Sequence, residues 1–272
     1  MTLLIRSSVL GLMATIYAFL LLAMPNLALA QDPASAQQLF QLLNRDRAQA
    51  GLPPLAWDDG LAAAALQHAQ LMADRNQLTH QFRGEPPLER RLAAVTLDLA
   101  GENVAIDVSI PKANTGLMNS PPHRANILSH DFNAVGIGIV WSGAQVWVAQ
   151  DFAHRVELMS GESAADTIAA AFTRARAQAG LPHLNRISDG HLTSLACDMG
   201  HHNHVNTNKA LKSKDVLEAT AYTTSQPEKL SQAAAQAAVQ QNVRSYGIGV
   251  CFQRSSSFPS GVYWVLLTLY GR

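Results

Sequence analysis

Residues 119–128 read Asn-Ser-Pro-Pro-His-Arg-Ala-Asn-Ile-Leu, and they are the most informative stretch of the chain. Thr79-His80 and Gly101-Glu102-Asn103 precede them, and Val-Gly-Ile-Gly at 135–138 and Gln-Asp-Phe at 150–152 follow. Two histidines and one carboxylate are thus each bracketed by turn-forming or capping residues. The order predicts a polar site built on loops over a sheet.

The first thirty residues have the pattern of a secretory signal peptide. Arg6 is the only charge ahead of an apolar run over residues 9–22, and Ala28-Leu29-Ala30 gives a small-x-small cleavage site. An uncleaved membrane anchor is the alternative, but the apolar run is short for a bilayer span. We expect export with cleavage, no transmembrane anchor afterwards, and a periplasmic or extracellular location.

Charge and cysteine content narrow the classes of partner. The chain has 20 Lys and Arg against 20 Asp and Glu, so it lacks the basic surface that nucleic-acid binding needs, and we expect no nucleic-acid partner. The two cysteines, Cys197 and Cys251, both lie in the second half. Export to an oxidising compartment permits a disulfide between them, and the sequence leaves open whether it forms.

Two echoes between the halves predict an internal repeat. Residues 47–55 recur almost unchanged as 176–184, and residues 135–140 recur more loosely as 246–251. The offsets are 176 − 47 = 129 and 247 − 136 = 111, so the second copy is shorter by 129 − 111 = 18 residues in its middle. We predict a signal peptide over 1–30, a first domain over 31–155, a linker over 156–163 and a degenerate copy lacking the polar site over 164–272.

Hydrophobic periodicity and capping residues place the secondary structure of both halves. The expected helices cover 34–50, a stretch from Asp58 or Asp59 to about Gln77, 88–95, 164–179, 189–204 and 231–241; the expected strands cover 133–141, 145–152, 245–253 and 262–270. The mixture predicts an α+β protein.

Residues 36–153 resemble the CAP superfamily of cysteine-rich secretory, antigen five and pathogenesis-related proteins, especially its bacterial secreted branch. The matching strings are Leu43-Asn44-x-x-Arg47, Gly51-Leu52-x-Pro54-Leu55-x-Trp57, His80, Gly101-Glu102-Asn103, most of 118–128, Gly136-Ile137-Gly138 and 150–152. The resemblance implies a three-layer α-β-α sandwich with an open cleft in the first half. For the second half it implies a related, truncated α/β module.

In the plant and animal members of that family the cleft holds two histidines and two glutamates, sometimes with bound zinc or magnesium. By position the histidines fall on His80 and His123 and one glutamate on Glu102, whereas the second glutamate falls near Ser120. The resemblance therefore implies a ligand site of His80, Glu102, Ser120 and His123. With one carboxylate fewer, we expect weak binding of zinc or another divalent cation by His80, Glu102 and His123.

The polar residues around this set have structural interpretations. Asn103 and Asn126 are expected to satisfy the backbone groups of turns. Arg124 is expected to brace its loop through backbone carbonyls or a carboxylate.

Three functions stay open on the sequence. The leading hypothesis is a secreted, non-enzymatic CAP-domain protein that binds a lipid-like or cell-envelope ligand in the cleft, a class suggested by analogy with the family. The second is a metal-dependent hydrolase with Glu102 as general base and with His80 and His123 holding the metal or polarising water. The third is a scaffold whose second half is a protein-interaction face.

The second half offers one further metal hypothesis. Cys197, His201 and His204 would share one face of a helix, and a thiolate with two imidazoles can bind zinc or copper. A disulfide between Cys197 and Cys251 would compete with this site.

Overall fold

The computed structural model describes residues 32–213 and 215–271, and the predicted signal peptide lies outside them. The helices are α1 Pro33–Gln49, α2 Asp59–Arg75, α3 Leu88–Arg91, α4 Ile110–Asn119, α5 Pro121–Ile127, α6 Gly161–Gln178, α7 Gly190–His201 and α8 Gln232–Ala238, with a short 3₁₀ turn at Ala210–Lys212. The strands are β1 Ala56–Trp57, β2 Leu97–Asp107, β3 Ala134–Ser142, β4 Gln145–Arg155, β5 Asn185–Ile187, β6 Val216–Thr224, β7 Ser245–Gln253 and β8 Val262–Tyr270.

Each half is built on its own four-stranded sheet. The strand order is β1-β3-β4-β2 in the first half and β5-β7-β8-β6 in the second. In both, the short first strand pairs in parallel and the other three pair antiparallel. The two sheets therefore have the same connectivity, and the fold is α+β.

The first sheet lies between two helical layers, because alternate residues of its strands face opposite sides. Val135, Ile137 and Ile139 pack with Leu39 and Leu43 of α1, in a core that α4 and α5 complete. On the other face, Met72 and other α2 residues pack on Val140, Trp147 and Ala149. This is the three-layer sandwich that the resemblance implied.

The repeated Gly-x-Gly strings explain how α2 and α7 lie so close to their sheets. A Cβ on Gly138 would be 2.2 Å from the backbone nitrogen of Leu66 in α2, and one on Gly249 would be 2.1 Å from the backbone of Leu192 in α7. Any side chain at these positions would push the helix off the sheet, so glycine is required for the close approach.

The predicted helices and strands are largely confirmed, with differences in and around the polar site. Asp58 caps α2 as expected, but the helix ends at Arg75 with Asn76 in the left-handed conformation, so His80 lies in a loop beyond it. The helix expected over 88–95 ends at Arg91, and α6 begins at Gly161, inside the predicted linker.

The prediction of a site on loops is wrong at two of three positions. Glu102 lies in the long strand β2, which the sequence analysis missed, and His123 lies in α5. The matching strand β6 was missed in the second half. Both strands carry polar residues at many positions, which hides the apolar alternation of a typical strand.

Candidate functional site

A buried carboxylate at the edge strand of the first sheet forms the centre of the candidate site. The side chain of Glu102 is 4% exposed, whereas that of His80 is 61% exposed. His80 Nδ1 lies 2.9 Å from Glu102 Oε1. If Nδ1 carries the hydrogen, it donates to the carboxylate and leaves His80 Nε2 free to accept a hydrogen bond or bind a ligand.

The second oxygen of Glu102 is held by an arginine that the sequence analysis did not single out. Arg91 Nη2 donates to Glu102 Oε2 at 2.6 Å and to the His80 carbonyl oxygen at 3.3 Å. Arg91 is itself only 8% exposed, so this is a buried ion pair. Arg91 therefore neutralises Glu102 and fixes the backbone of the His80 loop at the same time.

Behind this pair lies a second buried pair, His68 and Glu85. His68 Nδ1 is 2.7 Å from Glu85 Oε1, and His68 Nε2 is 2.8 Å from the Thr79 carbonyl oxygen. The Thr79 carbonyl oxygen can only accept, so His68 Nε2 carries a hydrogen, and Nδ1 shares one with the Glu85 carboxyl group. Burial opposes ionisation of Glu85, but hydrogen bonds from the Phe82 amide and His68 and the charge of Arg91 lower its pKa overall.

Asp151 is a third carboxyl group in this cluster. It lies directly opposite Glu102 on β4, so the two side chains share one face of the sheet. Asp151 is fully buried, and neither carboxyl oxygen has a hydrogen-bond partner among the described residues. Burial, and then the adjacent Glu102 carboxylate, raise the pKa of Asp151 well above its usual range and favour its protonated form.

His123 approaches the site from α5. Asn103, buried beside Glu102 in β2, donates to the His123 carbonyl oxygen at 3.1 Å, and Asn126 donates to Asn103 Oδ1 at 2.9 Å. These bonds tie α5 to β2, which agrees with the structural roles expected for both asparagines. Burial, and then the nearby His80, lower the pKa of His123 and favour its neutral imidazole.

The brace expected from Arg124 is made by another arginine. Arg124 is exposed, and its side chain makes no hydrogen bond or ion pair within the ranges that the structure describes. Arg47 is 1% exposed and donates to the carbonyl oxygens of Pro53, Ile127 and Ser129 at 2.9, 2.8 and 2.8 Å. Arg47 recurs as Arg176 in the repeated Arg-Ala-Gln-Ala-Gly-Leu-Pro string, and this repetition is the sequence feature that could have identified its role.

The geometry does not fit a three-ligand metal site of His80, Glu102 and His123. Both Glu102 oxygens already have partners, His80 and Arg91, and a cation at Glu102 would have to displace them. Among residues 32–213 and 215–271, no group of three His, Cys, Asp or Glu side chains is arranged to hold a metal ion. The buried Glu102 carboxylate instead orients His80 by a hydrogen bond, and the outward imidazoles of His80 and His123 are the groups that can contact a ligand.

Ser120 lies at the junction of α4 and α5 and is part-exposed. It is the cap residue of both helices, and its backbone carbonyl accepts from the Arg124 amide at 2.8 Å. The position of the expected second glutamate therefore carries no carboxylate.

The corresponding strand pairs of the second sheet carry uncharged residues. Gly247 and Thr268 pair as Gly136 and Asp151 do, and Ala219 opposite Thr268 takes the place of Glu102.

The second buried arginine fixes the alignment of the last helices. Arg176 donates to the carbonyls of Pro182, Ala238 and Gln240 as Arg47 does to its three. Ile127 and Ala238 then differ by 238 − 127 = 111, so His123 aligns with Ala234 at 123 + 111 = 234.

A disulfide joins Cys197 of α7 to Cys251 of β7. This corrects the metal hypothesis for Cys197, His201 and His204, because a bridged sulfur is not a thiolate ligand. His201 instead lies 2.9 Å from the Gln253 side-chain amide. His204 lines a small surface cavity together with Lys209.

Comparison with known proteins agrees with this architecture. Residues 40–152 match the family model described as the cysteine-rich secretory protein family, CAP. Residues 40–152, about two fifths of the chain, thus match a CAP domain.

Three similar proteins put this assignment in context. The uncharacterized protein YkwD of Bacillus subtilis is 34% identical over 120 residues, which is 43% of this chain and 46% of that protein. An extracellular SCP-domain protein of Bacillus anthracis is 34% identical in structure-based alignment, with a TM-score of 0.42, over 45% of this chain and 41% of that chain. Na-ASP-1 aligns over 87% of this chain and 89% of its own, with 10% identity and a TM-score of 0.47. The chain thus spans less than half of the length of YkwD.

The fold of the first half brings His80, Glu102 and His123 to one region, as the motifs suggested, but the sequence did not point to their supporting residues. His68, Glu85, Arg91 and Asp151 are scattered over four elements or loops. Only Asp151 lay in a quoted motif.

None of the helices that the structure describes combines the length and the hydropathy of a membrane span.

Proposed function

We propose that the protein is exported and non-enzymatic, and that its CAP domain binds a lipid-like or cell-envelope ligand at the surface around His80, Glu102 and His123. The observation that supports this most is the contrast within one pair: a Glu102 side chain 4% exposed holds a His80 side chain 61% exposed. A side chain that is both fixed and exposed is suited to contact a ligand, because little conformational freedom remains to be lost on binding.

The electrostatics of the cluster favour a polar group of the ligand at this position. Arg91 is paired with Glu102, His68 lies against Glu85, and the raised pKa of Asp151 favours its neutral form, so these contacts limit the net negative charge of the cluster. The outward His80 and His123 rings then present ring nitrogens for hydrogen bonding. Hydroxyl, amide and carboxyl groups, which are abundant in envelope polymers and lipid headgroups, suit such imidazoles.

The same contacts argue against catalysis by Glu102. A general base needs a free lone pair within reach of the proton that it removes, and both oxygens of Glu102 face hydrogen-bond donors. Ser120 supplies no second carboxylate. The metal-dependent hydrolase is the alternative function. It requires the Glu102 carboxylate to give up its contacts with Arg91 and His80.

Export rests on three observations. The N-terminal thirty residues have the signal-peptide pattern. Cys197 and Cys251 are bridged, as is usual outside the cytosol. The similar B. anthracis protein is described as extracellular. We infer a periplasmic or extracellular location after cleavage.

We also infer that the second half is a degenerate copy of the first that lost the site. Both sheets have the same order, and Arg47 and Arg176 bind equivalent carbonyls. Ala219 and Ala234 stand where the first half has Glu102 and His123, so the copy retains the frame and not the polar groups.

Binding to two envelope preparations tests the proposal. The mature protein is incubated with purified peptidoglycan sacculi or with vesicles of phosphatidylethanolamine and phosphatidylglycerol, beside His80→Ala/His123→Ala and the control His130→Ala. We expect retention by one of the two preparations, lost in the double variant and kept in the control, since His130 is exposed and outside the site. Equal retention of all three proteins would contradict the proposal.

Zinc calorimetry and a Glu102→Gln variant distinguish the metal-dependent hydrolase from the non-enzymatic binding protein. Stoichiometric zinc binding lost in His80→Ala/His123→Ala, together with a hydrolytic activity lost in a folded Glu102→Gln protein, would favour the hydrolase. Zinc binding retained in the double variant would place the cation elsewhere in the chain.

A further inference from the structure

Arg91 determines the direction of the hydrogen bond between Glu102 and His80. Its guanidinium group has no acceptor atom, and it donates to Glu102 Oε2 at 2.6 Å. Both side chains of this ion pair are buried, so the contact is short and poorly accessible to water. An ion pair with Arg91 requires the carboxylate form of Glu102, which has lone pairs and no hydrogen of its own to donate.

The other polar neighbours of Glu102 also leave it in the role of acceptor. His68 Nε2 lies 4.0 Å from Glu102 Oε2 and is engaged with the Thr79 carbonyl oxygen at 2.8 Å. Asp151 faces Glu102 across the paired strands β2 and β4. Burial, and then the Glu102 carboxylate, raise the pKa of Asp151, which favours a hydroxyl group that Asp151 can donate. Arg91, His68 and Asp151 therefore need no hydrogen from Glu102.

The hydrogen shared by His80 and Glu102 consequently belongs to the imidazole. His80 Nδ1 lies 2.9 Å from Glu102 Oε1, and a carboxylate oxygen only accepts, so the neutral ring carries its hydrogen on Nδ1. A buried carboxylate behind a histidine commonly fixes the tautomer in this way. The ring of His80 is exposed and makes no other hydrogen bond to a described residue, so Nε2 keeps a lone pair for a ligand.

We propose that Arg91 is a specificity-determining positioning residue: through Glu102 it fixes neutral His80 as a hydrogen-bond acceptor, so the ligand group at His80 is a donor, a hydroxyl or an amide N–H. This inference rests on the proposed envelope-binding function and narrows its ligand class. Carboxylate and ionised phosphate oxygens are excluded from this position, because they have no hydrogen to offer Nε2. Hydroxyl groups occur on glycan strands and on the glycerol headgroup of phosphatidylglycerol, so sacculi and vesicles distinguish the two sources.

Replacing Glu102 by glutamine reverses the hydrogen-bonding polarity of His80 and keeps the shape of the site. Arg91 still requires an acceptor, so the amide oxygen takes the position of Oε2. The amide nitrogen, a donor, then faces His80 Nδ1, which has to accept. His80 becomes the Nε2–H tautomer and presents a donor. Glu89→Gln is the matched control, since Glu89 is exposed on the same short helix as Arg91.

Nuclear magnetic resonance of the imidazole nitrogens measures the tautomer without any ligand. The mature protein carries isotopically labelled histidine and is studied at pH 8, where an unperturbed imidazole is neutral; His80→Asn identifies the signals of His80. We expect the Nδ1–H tautomer in the wild type and Glu89→Gln, and the Nε2–H tautomer in Glu102→Gln. An Nε2–H tautomer in the wild type would overturn the proposal, whether or not Glu102→Gln folds. An Nδ1–H tautomer in folded Glu102→Gln would refute the role of Arg91.

Retention by sacculi or by vesicles of phosphatidylethanolamine and phosphatidylglycerol, at the same pH, tests the ligand class. The preparation that retains the wild type should bind Glu102→Gln about three- to tenfold more weakly, the usual effect of one hydrogen bond, and Glu89→Gln equally well. Equal or tighter binding by Glu102→Gln would refute a donor ligand. Retention of the wild type by neither preparation would refute the proposed function and the ligand class together, whereas the tautomer of His80 is decided by the resonance measurement alone.

Discussion

Replacing Arg47 by methionine tests whether one buried arginine holds the helix that carries His123. Arg47 is 1% exposed and donates to three carbonyls, two of which, Ile127 and Ser129, close the end of α5. Methionine preserves most of the apolar stem and removes every donor. The variant leaves the Pro53, Ile127 and Ser129 oxygens without their partner.

The size of the effect follows from the number of lost bonds. A hydrogen bond from a charged donor contributes about 1.5–3 kcal/mol, so three give at least ~4.5 kcal/mol. Water reaching the less buried carbonyls and the removal of a buried charge offset part of this loss. We expect Arg47→Met to lower the free energy of unfolding by about 3–4 kcal/mol. If the Arg47 guanidinium were unpaired in the folded protein, its removal would instead raise the free energy of unfolding.

Urea unfolding followed by tryptophan fluorescence measures the change mainly in the first half, which holds three of the four tryptophans, Trp57, Trp141 and Trp147. Arg45→Met is the matched control, since Arg45 is exposed on the same helix and its loss should cost less than ~0.5 kcal/mol. A loss below ~1 kcal/mol in Arg47→Met would refute the bracing role.

The equivalent arginine of the second half separates stability from site geometry. Arg176→Met removes bonds to three carbonyls at similar distances, 3.0, 2.7 and 2.9 Å, in the second half. We expect a similar loss of stability there. Ligand retention by the His80 surface should fall in Arg47→Met and persist in Arg176→Met, because Arg47, unlike Arg176, contacts the helix of His123.

Three further predictions concern Asp151, the disulfide and a glycine of β3. The raised pKa of Asp151 means that its stabilising contribution is full below the unfolded-state value of 3.8 and is lost as pH rises through the folded-state value. Asp151→Asn should therefore raise the unfolding midpoint at pH 7 and have little effect at pH 3; a destabilised variant at pH 7 would show that the group is ionised. Reduction of the Cys197–Cys251 bridge, which spans 54 residues, should cost about 4 kcal/mol, read as a dithiothreitol-dependent fall in the unfolding midpoint; an unchanged midpoint would contradict it. Gly138→Ala places a Cβ 2.2 Å from a backbone nitrogen of α2 and should cost ~2 kcal/mol or more in urea unfolding, whereas Gly190→Ala, which meets nothing within 4 Å, should be nearly neutral.

The sequence by itself determined the local structure of the apolar elements. The caps and periodicity of α1, α2, α6 and α7 and the two hairpin-forming strand pairs are local signals, and they placed these elements within a few residues. The motifs also named His80, Glu102 and His123 before any contact was known.

The strands that carry the polar residues were decided only by tertiary structure. In β2, Glu102 points into a buried cluster of ion pairs and Asn103 into a network with α5, so neither face shows the apolar alternation of an isolated pattern. The strand forms because its backbone pairs with β4 along its length. A pairing partner some fifty residues away leaves no mark on the local sequence.

The chemistry of the site was likewise set by packing. Arg91 and His68 reach Glu102 from other elements, and cross-strand register places Asp151 beside it. Motif spacing suggested a free carboxylate between two histidines, suited to a metal or a proton transfer. The fold instead surrounds that carboxylate with donors, because a buried negative charge is stable only when it is paired and hydrogen-bonded. The sequence therefore identified the residues, and the tertiary structure decided what they do.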